Sequence, residues 1–194
     1  MIKNGGARRL AIYAALEDIN YEWSAAEIDK FLTLWLQGWS LQYICGQLER
    51  DIDEAAVLMM DLDEKMGLFP ARGYGVKVSP PIEEDTLPLK YDKMRRSFLK
   101  RYRGGYTAFL EHSRVNFIWG EREVEDFEEF WYSGYTLQAI AKKLKRHYLD
   151  VALLVLDRKR KGRIEVRESG LEGWKEDVAK KVCRKANRHK SAAC

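Results

Sequence analysis

The residue types that most readily make nucleophiles or metal ligands are sparse in this 194-residue chain, which holds three cysteines and three histidines. Cys45, Cys183 and Cys194 form no Cys-x-x-Cys pair, and with His112, His147 and His189 they assemble no zinc-ligand spacing and no triad-like order. The acid pair Glu128-Glu129 falls on the polar face of an amphipathic stretch, a poor place for general acid–base work. No Gly-rich phosphate loop, GxSxG or HExxH is present. The sequence therefore predicts a non-enzymatic protein with no cofactor and no metal.

What remains is chemistry by charge. Residues 137–167 carry ten Lys or Arg against three acids. Duplex DNA presents about one negative charge per 1.7 Å of axis, so a surface of this sign is suited to phosphate. A second basic stretch, 89–114, holds Lys90, Lys93, Arg95, Arg96, Lys100, Arg101 and Arg103 interleaved with Tyr91, Met94, Phe98, Leu99 and Tyr102. That amphipathic pattern suits either a phosphate backbone or packing beside a neighbouring helix. A basic tail, with Lys180, Lys181, Arg184, Lys185 and Arg188, suits non-specific phosphate contact.

The elements that position these cations are set by an internal repeat. With a constant offset of 96 and no gap, Asn20, Trp23, Glu27, Phe31, Trp35, Gly38, Leu41, Gln42, Ile44, Leu48, Arg50, Ala56, Leu58 and Asp61 recur as Asn116, Trp119, Glu123, Phe127, Trp131, Gly134, Leu137, Gln138, Ile140, Leu144, Arg146, Ala152, Leu154 and Asp157. Each copy reads as three helices. Steps of three and four from Trp119 through Phe127 to Trp131 give the first an aromatic stripe, with Trp23, Phe31 and Trp35 matching. Gly38 or Gly134 ends it in a left-handed conformation, and Ser40 or Thr136 caps the next. Cys45 matches Ala141, which makes it a small core residue rather than a reactive thiol. A third helix runs from Tyr148 to about Lys161 and ends at Gly162. Asn20 and Asn116 are expected either to cap the first helices or to hydrogen-bond the units together.

The pattern Trp, Glu, aromatic, Trp, Gly-x-Ser/Thr, Leu-x-x-Ile-Ala-x-x-Leu-x-Arg resembles tandem helix-turn-helix units of the Myb/SANT-like kind. It is also similar to sigma factor region four, as found in bacterial and phage regulators. The resemblance covers roughly 19–70 and 115–168. It implies that the third helix meets the major groove while the first two buttress it. It also leaves room for a protein-binding use, because SANT-like units serve that role too.

Charge separates the copies. Against the ten cations of 137–167, the aligned 41–71 has two Lys or Arg and seven acids. The second copy is expected to bind double-stranded DNA. Arg146, His147 and Tyr148 would sit where bases are read, and Lys142, Lys143 and Lys145 would reach phosphate. Arg158, Lys159, Arg160, Lys161 and Arg163 would form a basic end with a short β-wing or extended arm, and Arg95, Arg96, Lys100 and Arg101 would add to the DNA-facing side. In the acidic first copy, Glu49, Asp51, Asp53 and Glu54 are expected to face a protein partner. The third helices, "HYLDVALLVLDRKRK" and "AAVLMMDLDEKMG", are apolar almost all round, which implies packing on two sides or a repeat-to-repeat or homodimer interface.

The expected architecture is all-α. A first helix-turn-helix-like unit occupies 1–70 and a proline-rich linker 71–88. A basic helix with the second unit spans 89–168, and a C-terminal helix with its tail 169–194. "ARRLAIYAALED" is expected to be a short helix covering the first unit, and a second short helix is expected after Gly104-Gly105. No apolar run reaches the roughly 20 residues a membrane span needs, and the expected location is the cytoplasm.

Overall fold

The computed structural model describes residues 12–67, 89–109, 114–165 and 167. In chain order the elements are β1 (Ile12–Ala14), β2 (Glu22–Trp23), α1 (Ala25–Gln37), α2 (Leu41–Leu48), α3 (Ile52–Met66), α4 (Leu89–Arg101), β3 (Tyr106–Thr107), β4 (Ile118–Gly120), α5 (Glu121–Tyr132), α6 (Leu137–Leu144) and α7 (Tyr148–Arg160). The fold is mostly helical, and the all-α expectation is corrected by two two-stranded antiparallel sheets, β1 with β4 and β2 with β3. The expected linker, 71–88, and the expected C-terminal helix and tail, 169–194, lie outside the described residues.

The chain divides into a continuous unit, Asp18–Ser113, and a discontinuous one built from Met1–Glu17 and Arg114–Cys194. In the continuous unit α1 begins with a capping box: Ser24 Oγ accepts from the Glu27 amide while Glu27 accepts from that of Ser24. Gly38, at φ 105°, ends it in the left-handed region that a Cβ would disfavour. Ser40 caps α2 and Asp51 caps α3. The caps turn the helices so that Phe31, Leu32, Trp35, Ile44, Leu58, Met59 and Leu62 are buried. Each such side chain contributes about 1.5–3 kcal/mol by leaving water. α4 lies against α1, where Phe98 is buried and Arg95 reaches Asp29.

The discontinuous unit repeats these devices. Glu123 accepts from the Gly120 amide at the start of α5, Thr136 caps α6, and His147 caps α7. Trp119, Phe127, Trp131, Ile140, Val151 and Leu154 form its core. The starts of α5, α6 and α7, at 121, 137 and 148, each lie 96 residues after those of α1, α2 and α3, at 25, 41 and 52. Asn20 and Asn116 do not cap those helices; each accepts from the amide two residues on, Glu22 and Ile118, shaping the entry to β2 and β4.

The strands correct two expectations. The described part of "ARRLAIYAALED" is the strand β1 and a turn, and the described residues directly after Gly105, 106–109, form β3 and a turn rather than a helix. β1 precedes the first copy in sequence but pairs with β4, beside the second; β3 precedes the second copy but pairs with β2, beside the first. The basic helix α4 likewise belongs to the continuous unit, where it packs on α1. A strand of two or three residues has no periodicity to read, and its ladder partner lies about a hundred residues away.

Candidate functional site

The cations expected to face DNA divide sharply once the discontinuous unit is assembled. Lys142 and Lys143 lie on the exposed side of α6, since its apolar stripe, Leu137, Ile140 and Ala141, turns the opposite way. Lys143 Nζ sits over the rings of Phe130 at 5.2 Å and Tyr135 at 4.6 Å. Lys145 ends the helix at φ 55° and is exposed. His147 is exposed and its Nδ1 accepts from the Leu149 amide at 3.4 Å, with Tyr148 half-buried beside it. This corner, α6 to the first residue of α7, presents three lysines and an imidazole to solvent.

Arg146 is held inside that corner. Its guanidinium donates to Glu123 at 2.8 and 3.1 Å and to the Ile118 carbonyl at 3.0 Å, and lies 4.4 Å over the Trp119 ring. The Arg146 hydrogen bond is the main reason the Glu123 carboxyl titrates below its ordinary value, with burial opposing it. Arg50 occupies the same place in the continuous unit, donating to the Glu22 carbonyl, pairing with Glu27 and Glu54 and lying 3.9 Å over Trp23. An arginine kept in the same tie in both units is explained by folding.

The basic end of α7 is also partly committed. Arg158 donates to Glu128 at 2.7 Å and lies over Tyr13. Lys161 donates to the Tyr13 hydroxyl at 3.0 Å and pairs with Asp157 at 3.0 Å. Burial acts against its charge, but the Tyr13 and Asp157 bonds outweigh this and raise the ammonium's pKa. Lys159 and Arg163 are exposed and Arg160 is half-buried. Of the expected β-wing or extended arm, the described residues form an arm on α5: Trp131 Nε1 donates to the Glu165 carbonyl at 3.2 Å, the Tyr132 hydroxyl donates to that of Arg163 at 3.0 Å, and Arg167 lies 3.6 Å over Trp131.

Leu149 through Val155 are all buried, as is Asp157. The flank of α7 is therefore not an open face, and only its first residue, the half-buried Tyr148, and its C-terminal end reach solvent. In the continuous unit Glu49 and Asp51 are exposed, Asp53 is buried, and Glu54 is occupied by the Asn20 amide and Arg50. On α4, Arg95 reaches Asp29 and Asp92, Arg96 pairs with Asp92, and Lys100 and Arg101 are exposed. The Cys45 thiol is buried and pushed up to about 11 by desolvation first and the acids Asp51, Asp53 and Glu54 second, as suits an inert core residue.

One constellation is not legible in the repeat frame. Asp157, fully buried, accepts from the Tyr13 hydroxyl, from the Leu16 amide at 2.8 Å and from Lys161. Asp61, also fully buried, accepts from the Tyr106 hydroxyl and from Lys65, which in turn donates to that hydroxyl at 2.6 Å. The aspartates and lysines keep the 96-residue offset, but the tyrosines are 93 apart, so a gap-free frame misses them. An aspartate recurring in an apolar helix was the available signal.

Comparison with family models, curated proteins and solved structures finds no match to this chain. Among the described residues, no helix is long and apolar enough to cross a membrane.

Proposed function

We propose that the chain is a non-enzymatic DNA-binding regulator, of the kind carried by phages or other mobile elements, built from two copies of a three-helix, helix-turn-helix-like unit. In this reading the copy at 115–168 meets duplex DNA through the outward face of α6, the following turn and the first residue of α7. The observation that carries it is a contrast at four matched, exposed positions. One unit presents Lys142, Lys143, Lys145 and His147 where the other presents Gly46, Gln47, Glu49 and Asp51. Both sets stand on the same helix–turn–helix corner, so folding does not require the difference. The burial of α7 argues that DNA is met end-on, with His147 and Tyr148 nearest the bases and Lys159 and Arg163 as further phosphate ligands.

The test is a mobility shift on random-sequence duplex with the Lys142→Ala, Lys143→Ala, Lys145→Ala triple variant. Arg146 is left intact because its loss would unpair Glu123 inside the unit. Affinity is expected to fall at least about tenfold, and the slope of log K against log salt by about 0.9 for each phosphate no longer neutralised. Binding equal to wild type, with an unchanged melting curve, would overturn the assignment.

A second reading has its own support. On the continuous unit Tyr43 and Ile52 are 40% and 45% exposed, Tyr43 stacks on Trp39 at 4.1 Å, and Glu49 and Asp51 precede Ile52 closely in sequence. Exposed apolar side chains close in sequence to exposed acids suit a protein partner or a second copy of the chain. Pull-down from a nuclease-treated bacterial lysate is expected to capture a protein that Tyr43→Ser with Ile52→Ser releases; capture of the same set by the variant would rule the patch out.

A further inference from the structure

The continuous unit carries a charge distribution that its own folding uses only in part. Residues 18–67 hold eleven acids and three Lys or Arg, whereas 89–103 hold seven Lys or Arg and one acid, Asp92. Part of this is internal neutralisation. Arg95, on the side of α4 that bears the buried Phe98, pairs with Asp29 of α1 and with Asp92. Burial alone would lower the Arg95 pKa, but the bonds to Asp92 and Asp29 raise it, so this cation is committed to the fold.

The rest faces outward. At 100° per residue, Lys90, Lys93, Arg96, Lys100 and Arg101 fall on one face of α4, away from Phe98 and Arg95, and Arg103 follows in the turn; all six are exposed. Lys93, Lys100 and Arg103 enter no ion pair with any described residue. From Lys90 to Arg101 the helix rises about 16 Å, a length over which duplex DNA presents roughly nine or ten phosphate charges. Arg96 pairs with Asp92, and Lys90 and Arg101 lie over Tyr91 and Tyr102, but the like charges of Lys93, Lys100 and Arg103 add repulsion to this face that a polyanion would offset.

We infer that the outward face of α4 is a second duplex-DNA surface, one that follows the phosphate backbone without reading sequence. Duplex DNA is favoured over a single strand because the row offers cations and little ring surface for a base: Phe98 is buried, and the exposed Tyr91 ring already lies under the Lys90 ammonium at 5.9 Å. This goes beyond the reading of the discontinuous unit and does not rest on it, since the cations belong to the other unit.

The experiment uses the full-length chain with Lys93→Gln, Lys100→Gln and Arg103→Gln together, substitutions at exposed sites that keep good helix formers and break no ion pair. Binding is measured by fluorescence anisotropy against salt, on two unrelated duplexes, on the matching single strand and on phosphatidylserine vesicles. The expected result is a loss of at least about fivefold on both duplexes alike, with the salt slope reduced by about 2 to 3. The same loss is expected when the triple variant is placed on the Lys142, Lys143, Lys145 alanine background, so failure of one surface is separable from failure of the other. Unchanged duplex affinity and slope in a variant that melts like wild type would overturn the inference, as would a loss confined to the single strand or to vesicles.

Discussion

A buried carboxylate persists only when its lone pairs and charge are met, and Asp157 meets that requirement with a hydroxyl, an amide and an ammonium. Its three partners come from β1, the turn after it and the end of α7, so the side chain ties a strand near the N-terminus to a helix about 140 residues later. Truncating it would leave the buried Leu16 amide without its acceptor, take the acceptor from the Tyr13 hydroxyl proton and leave Lys161 only the more distant Glu17, at 3.9 Å, as a counter-charge. Asp157→Ala is therefore expected to cost about 3 kcal/mol or more in urea unfolding. Lys161→Gln should cost about 1 kcal/mol, because Lys161 retains 28% side-chain exposure and solvent takes over part of its role. Equal, sub-kilocalorie effects of the two would show that the carboxylate is not the hub. The tie itself is not legible in the sequence, since the value of an aspartate in an apolar helix depends on a tyrosine that only the folded chain supplies.

At the level of elements, local signals were readable and non-local ones were not. Ser40 and Thr136 as caps, and Gly38 as a helix end, follow from side-chain and backbone chemistry within a few residues, and the structure places them so. β1 and β3 follow from no such rule: "IYA" and "YT" are too short for alternation, and each is joined to its unit by a ladder with a distant strand and by a tyrosine hydrogen-bonded to a buried aspartate, Tyr13 to Asp157 and Tyr106 to Asp61. The exchange has a measurable consequence. Deleting residues 2–17 removes β1 and the Leu16 amide, so hydrogen exchange should accelerate across α5, α6 and α7, about a hundred residues downstream. Protection in α1–α4 should hold. Accelerated exchange in α1–α3 instead would mean that the N-terminal segment supports the first copy, as its position in sequence suggests.

For the whole molecule, unit boundaries change the charge argument. Counted along the sequence, the first copy is acidic and the second basic. Counted by compact unit, 18–113 has twelve Lys or Arg and sixteen acids, and the remainder has twenty-two and fourteen. The contrast survives, but the basic helix α4 falls within the acidic unit, packed on α1. The alanine and glutamine variant sets therefore probe different units. Their reductions of salt slope are expected to add, as independent phosphate interactions do.

The sequence alone determined what depends on near neighbours: the approximate places of the seven helices among the described residues, the caps Ser40 and Thr136, the offset of 96 and the sign of each exposed corner. Only the tertiary structure decided which segment completes which unit, and which arginines are committed to the fold. Arg146 and Lys145 are adjacent and alike in charge, yet one is locked between Glu123 and Trp119 while the other stands in solvent. That difference is set by what lies across the fold from each side chain, and adjacency in sequence carries no information about it.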